Sequence, residues 1–156
     1  MKPNLIASLS AVAVVTLLGV GPAGAQIRWD LPTEQRPTTL SGIGNIKFVE
    51  LMKQKTSGQI DVTVHFGGSL GYKTKDQFDA VTDGAVPLAD SYTGPFIGFD
   101  PIWQLSALPF LARTIDEAFK LYGASRPAYE ETLGKSNQML LYATPWPASG
   151  IWAKDT

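Results

Sequence analysis

Ile60-Asp61-Val62-Thr63-Val64-His65-Phe66-Gly67-Gly68-Ser69-Leu70-Gly71 is the stretch on which the fold turns. Its first half alternates apolar and polar residues without a break. The apolar set is β-branched or aromatic, which predicts a strand with one buried face. A glycine loop follows, and Thr74 to Asp83 has helical spacing with Phe78 and Val81 on its apolar side and Gly84 placed as a C-terminal cap. Strand, glycine loop and helix in this order admit two functions. As a spacing, Gly67-Gly68-Ser69-Leu70-Gly71 satisfies G-x-S-x-G, the elbow that presents a serine nucleophile in α/β-hydrolases. As a turn, it lets the backbone approach a ligand closely.

The hydrolase alternative asks for a base beside Ser69. The only histidine, His65, lies four residues upstream on the predicted strand, whereas in α/β-hydrolases the histidine comes last in the chain. A glycine turn beside a ligand is the simpler account. His65 has no second histidine and no cysteine to share a metal with, so no metal site and no cofactor are expected.

Working outward, Ile27 to Leu31 reads as a short strand stopped by Pro32, and Thr33 to Thr38 as a polar loop. Leu40 to Lys55 reads as a helix whose stripe is Ile43, Ile46, Val49 and Met52, widened by Phe48 and Leu51. Ala85 to Ala89 is a short apolar run, expected as a third strand, that ends in Asp90-Ser91-Tyr92. Gly94 to Pro101 is expected to be irregular, and Trp103 to Leu111 is strongly apolar. Thr114 with Glu117 three residues on forms a capping box opening a helix from Ile115 to Tyr122. Pro127 suits the first turn of a further helix through Leu133, closed by Gly134. Gln138 to Thr144 is expected as a last strand, and Gly150 to Lys154 as extended. Strands alternating with helices predict an α/β fold with a largely parallel sheet.

The first 25 residues read as a secretory signal peptide: Lys2, an apolar run from Leu5 to Leu18, helix breakers, and the small-residue site Ala23-Gly24-Ala25. The run is too short for the roughly 20 residues that span a bilayer. Cleavage before Gln26 would leave 131 residues, one domain's worth, in the periplasm. The 156-residue chain has a net charge of −1 and no visible basic face, which speaks against nucleic acid. With no cysteine there is no disulfide framework, and the 44% hydrophobic content, including four Trp and seven Phe, has to supply the core.

From Ile27 onward the chain resembles the solute-binding proteins of TRAP transporters, the DctP family. Four motifs carry the resemblance: Lys55-Thr56-Ser57-Gly58-Gln59-Ile60-Asp61-Val62-Thr63-Val64, Gly67-Gly68-Ser69-Leu70-Gly71, Phe78 through Val86, and Leu108-Pro109-Phe110-Leu111. The resemblance implies a periplasmic-binding-protein-like architecture of two α/β lobes joined by hinge strands. On it, residues 26–142 supply an incomplete first lobe, residues 143–156 begin the crossing segment, and the second lobe is expected beyond Thr156. It further implies capture of a small solute and delivery to an integral membrane permease of the TRAP type, driven by an ion gradient, with no catalysis. A non-functional fragment is the remaining alternative.

In open parallel sheets ligands sit beyond the carboxyl ends of the strands. That rule, applied to the implied fold, selects Glu34 after the first strand, Ser69, Gly71 and Tyr72 after the second, Asp90 and Tyr92 after the third, and Trp146 and Trp152 at the crossing segment. Many family members clamp a carboxylate with an arginine in the segment that would follow Thr156. The sialic-acid branch also has a G-x-R motif where this chain has Gly150-Ile151-Trp152. An organic acid is the family default, and Glu34 and Asp90 bring an amine or neutral polar solute into view beside it.

Overall fold

The computed structural model describes residues 25–146 and Lys154. The expected leader up to Gly24, the extended stretch Gly150–Ala153 and Trp152 lie outside the described residues. Two strands, β1 (Ile27–Pro32) and β2 (Ile60–His65), pair in parallel, with Ile27 opposite Ile60 and Pro32 opposite His65. They are joined through the helix α1 (Leu40–Lys55) into a β-α-β unit. The helix α2 (Thr74–Thr82) follows the glycine loop, which itself closes as a 3₁₀ turn over Phe66–Gly68. Further 3₁₀ turns span Gly94–Gly98 and Pro101–Ala107 before the long helix α3 (Ile115–Gly134).

Each helix is opened by a side chain that satisfies a free N–H. Thr39 accepts from the Gly42 N–H at 3.1 Å at the start of α1. The Thr114 hydroxyl accepts from the Glu117 N–H at 3.2 Å, and the Glu117 carboxylate accepts from the Thr114 N–H at 3.1 Å, so the capping box forms as the sequence predicts. Lys53 and Lys55 in the last turn of α1 complement its negative end. Gly84, at φ 73°, ends the turn after α2.

The hydrophobic interior falls into two clusters. Leu31, Val62 and Leu88 are buried beneath Trp29, Phe48, Val49, Met52, Ile60 and Val64, which seats α1 on the sheet. Phe78, Phe96, Trp103, Tyr129 and Leu133 form the second cluster, joining α2, the 3₁₀ turns at Gly94–Gly98 and Pro101–Ala107, and α3. Trp103 stacks on Tyr129 with centroids 5.0 Å apart, and Phe78 stacks on Phe99 at 4.3 Å. Phe96 thus places part of the expected irregular surface inside the core.

Four expectations about the elements need correction. Ala85–Ala89 forms no strand; Leu88 packs on the sheet through its side chain, and the backbone pairing that follows is a single bridge between Thr33 and Asp90. Pro87 has no N–H to give a ladder. Gln138–Thr144 is not a strand either, since no backbone ladder pairs it among the described residues. Its anchorage is by side chains: Arg126 holds the Leu140 carbonyl at 3.1 Å, and the Tyr142 hydroxyl donates to Asn45. The two helices expected, Ile115 to Tyr122 and a further one with Pro127 in its first turn, are one, because a proline can be housed where the lost N–H costs one bond and not the whole helix. Finally, only the Val49 and Met52 half of the expected α1 stripe faces the core. Gly42 and Asn45 are buried, while Ile43 and Ile46 are 55% and 49% exposed.

Candidate ligand-binding site

The carboxyl ends of β1 and β2 stay tied together after the strands stop. Thr33 donates its N–H to the His65 carbonyl at 3.0 Å. Gly68 then donates to the Thr33 carbonyl at 2.9 Å, and Gly67 to the Gln35 carbonyl at 2.9 Å. Both glycines are left-handed, at φ 65° and 72°, a conformation costly for any residue with a Cβ. The third segment joins them through the Asp90 N–H, which bonds the Pro32 carbonyl at 3.1 Å. Residues after β1, after β2 and after Leu88 therefore meet on one edge.

Asp90 is the hub of that edge. One of its carboxylate oxygens accepts from the Thr33 hydroxyl at 2.8 Å, the Ser41 hydroxyl at 2.8 Å and the Asn45 amide at 2.7 Å. Thr33 and Asn45 are fully buried, so the carboxylate satisfies donors that have no access to water. Asn45 in turn accepts from the Tyr142 hydroxyl. Burial and the nearby Asp90 charge push the Tyr142 phenol far above the usual tyrosine range.

Glu34 has a similar structural duty. It accepts from the Thr74 hydroxyl and from the Thr74 N–H at 2.8 Å, which caps α2 from outside the helix, and Lys73 lies 3.8 Å away. The Thr74 bonds, more than the lysine, hold the Glu34 carboxyl below the usual range. Ser91, next to Asp90, donates to Gln77, a fully buried residue of α2.

Of the other sequence-selected residues, Ser69 and Gly71 are exposed on the glycine loop and Tyr72 is half-buried beside them. Tyr92 and Trp146 come together, their rings 4.9 Å apart and tilted by 40°. Beside them Gln35, Thr39, Leu40, Ser41, Pro145 and Trp146 line a cavity of about 310 Å³. A larger cavity of about 460 Å³ lies on α1 between Phe48, Leu51 and Tyr142, and no strand-end residue lines it. His65 is held by Asp30 at 2.7 Å, which gives the histidine a partner other than Ser69. Among the described residues no group of three or more metal-ligating side chains is present.

Sequence reasoning missed Gln35, Ser41, Asn45 and Tyr142. Asn45 carried a usable signal, a polar residue one step from an apolar stripe. A buried amide there requires partners, which Asp90 and Tyr142 supply.

Residues 33–144 match the family described as DctP, bacterial extracellular solute-binding protein, family 7. The chain belongs to that family. Among solved family structures, it is 34% identical to DctP6 of Bordetella pertussis, an extracytoplasmic solute receptor binding pyroglutamic acid; the TM-score is 0.73 over 77% of this chain and 40% of that one. A marine metagenome TRAP solute-binding protein specific for pyroglutamate is 29% identical, with a TM-score of 0.74 over 78% of this chain and 40% of that one. DctP7 of Bordetella pertussis, also a receptor binding pyroglutamic acid, is 27% identical, with a TM-score of 0.72 over 77% and 40%. No curated protein matches the chain. The chain spans about 40% of the length of the solved receptors it matches. Membership makes the architecture that of one lobe of a periplasmic binding protein, in a receptor family and not an enzyme family.

Proposed function

We propose that this protein captures a compact monocarboxylate of the pyroglutamate class outside the cytoplasm and passes it to an integral TRAP permease driven by an ion gradient. The observation that carries this is the likeness to three pyroglutamate receptors at 27–34% identity. Residues 1–25 act as the export signal, residues 26–142 supply the first lobe, and residues 143–156 begin the hinge. Closure of two lobes on the solute is driven by the solute's higher affinity for the closed state.

The site geometry weighs against an amine. Glu34 and Asp90, whose charges suggested one, are both engaged by donors of the chain itself. Glu34, Ser69, Gly71, Tyr72, Asp90, Tyr92, Trp146 and Trp152 are proposed to form or support this wall, with Asp90 and Glu34 holding it in shape and Tyr92 and Trp146 offering flat apolar area.

Thermal-shift measurements on the full-length gene product with pyroglutamate, proline, succinate, a uronate and a diamine test the proposal. Pyroglutamate is expected to raise the melting temperature most. Stabilisation by the diamine alone, or by none of the acids, would overturn it.

A further inference from the structure

We infer that the side-chain carboxamide of Gln35 recognises the solute's lactam as a two-hydrogen-bond amide pair in the cavity beside Trp146. This rests on the pyroglutamate reading of the site and specifies how it selects its solute. A cyclic amide presents its N–H and its C=O side by side, fixed in the cis arrangement by the ring. The complement is a group that offers an acceptor and a donor side by side. Among uncharged side chains only a carboxamide does so in one plane.

The lining of the 310 Å³ cavity leaves one such group. The Thr39 hydroxyl is used twice, donating to the Arg36 carbonyl at 2.8 Å and accepting from the Gly42 N–H at 3.1 Å. The Ser41 hydroxyl donates to Asp90 at 2.8 Å. Leu40 and Pro145 are apolar, and the indole of Trp146 has a donor but no acceptor. The Gln35 carboxamide makes no hydrogen bond among the described residues.

Gln35 is also well positioned. Its N–H donates to the Thr33 hydroxyl at 3.1 Å and its carbonyl accepts from the Gly67 N–H at 2.9 Å, so its backbone is fixed from both sides while the side chain is half-buried at the cavity. Pro145 and Trp146 supply flat apolar surface for a saturated ring. The volume is at the small end of the roughly 300–1,000 Å³ typical of ligand clefts, which suits a solute of amino-acid size. Acyclic amides prefer the trans form and cannot present both groups on one edge unless they are primary, so the pair selects for a lactam.

The test is calorimetric titration of the full-length gene product, wild type and Gln35→Leu, with pyroglutamate and with cyclopentanecarboxylate, which keeps the ring and the carboxylate but lacks the lactam. Wild type is expected to prefer pyroglutamate, and Gln35→Leu to weaken pyroglutamate about tenfold to a hundredfold while leaving cyclopentanecarboxylate within about twofold. Gln35→Glu, which removes the donor but keeps the shape, should lose pyroglutamate as well. Neither substitution touches the backbone bonds of residue 35, and matching melting curves of the unliganded proteins confirm an intact fold. Retention of the full pyroglutamate preference by Gln35→Leu overturns the inference alone. A wild-type protein that binds neither acid overturns the pyroglutamate reading and the inference with it.

Discussion

Replacing Asp90 by asparagine should loosen the meeting point of β1, α1 and the segment after Leu88. Three donors converge on one carboxylate oxygen at 2.7–2.8 Å. A hydrogen bond to a charged group contributes roughly twice as much as a neutral one, about 2 against about 1 kcal/mol. If the asparagine oxygen takes the same place, all three bonds survive in neutral form and the gross loss is about 3 kcal/mol; partial solvent access to Asp90 reduces this to about 2 kcal/mol. Asp90→Ala should cost more, about 4 kcal/mol, because two of the orphaned donors belong to the fully buried Thr33 and Asn45. Urea unfolding of the full-length gene product, followed by tryptophan fluorescence, measures both. A second readout is independent of stability. Burial first, then the Asp90 charge, raises the Tyr142 phenol, so Asp90→Asn should lower its titration midpoint, seen as tyrosinate absorbance. An Asp90→Asn protein within about 0.5 kcal/mol of wild type and with unmoved tyrosine titration would refute the assignment of Asp90 as a charged hub.

Other consequences can be checked in the same protein. The Glu34 carboxyl is depressed by its Thr74 bonds, so its contribution to stability is present above the unfolded carboxylate pKa of about 4.3 and is lost as pH falls through the lower folded value; the stability gap between wild type and Glu34→Gln should therefore close as pH drops from neutrality toward about 3, and a gap that widens contradicts this. Gly42→Ala would set a Cβ 2.0 Å from the Arg36 carbonyl oxygen, so a destabilisation of about 1–3 kcal/mol is expected in denaturant titrations. Ser69→Ala should leave solute affinity within a few-fold of wild type, and ester substrates should turn over at the same background rate with either protein; a wild-type esterase rate abolished by the substitution would revive the nucleophile assignment.

Local sequence reported well on elements that local physics decides. α1 has the bounds its periodicity gives, and the capping box at Thr114 forms because both partners lie within one turn. It reported poorly where a strand depends on a partner. Ala85–Ala89 and Gln138–Thr144 have apolar residues suited to a sheet, but Pro87 removes a donor from one and no ladder among the described residues pairs the other. Hydrophobicity placed the second half of α1 correctly, with Phe48, Val49 and Met52 on the core, and misplaced the first: Asn45 is inside because Asp90 and Tyr142 satisfy it, a fact written 45 and 97 residues away. For the site, the rule that ligands lie at strand ends picked out residues that the structure brings to one edge, but not which of them bond to the chain itself. Glu34 and Asp90 look like ligand groups in sequence and accept from donors of the chain itself in space, while Gln35, on which the inferred amide pair rests, lies in what reads as a polar loop.

The bonds from Gly67 to Gln35 and from Gly68 to Thr33 make the loops after β1 and β2 one unit of backbone. On the proposed function, a solute would meet a wall whose ordering entropy was already lost during folding, so little of its binding free energy would be consumed in immobilising these residues. Preorganisation of this kind assigns the calorimetric signature of closure to whatever moves against the wall. Substitutions that untie the glycine loop should therefore appear as an entropic penalty on affinity, with the contact enthalpy to the solute largely kept.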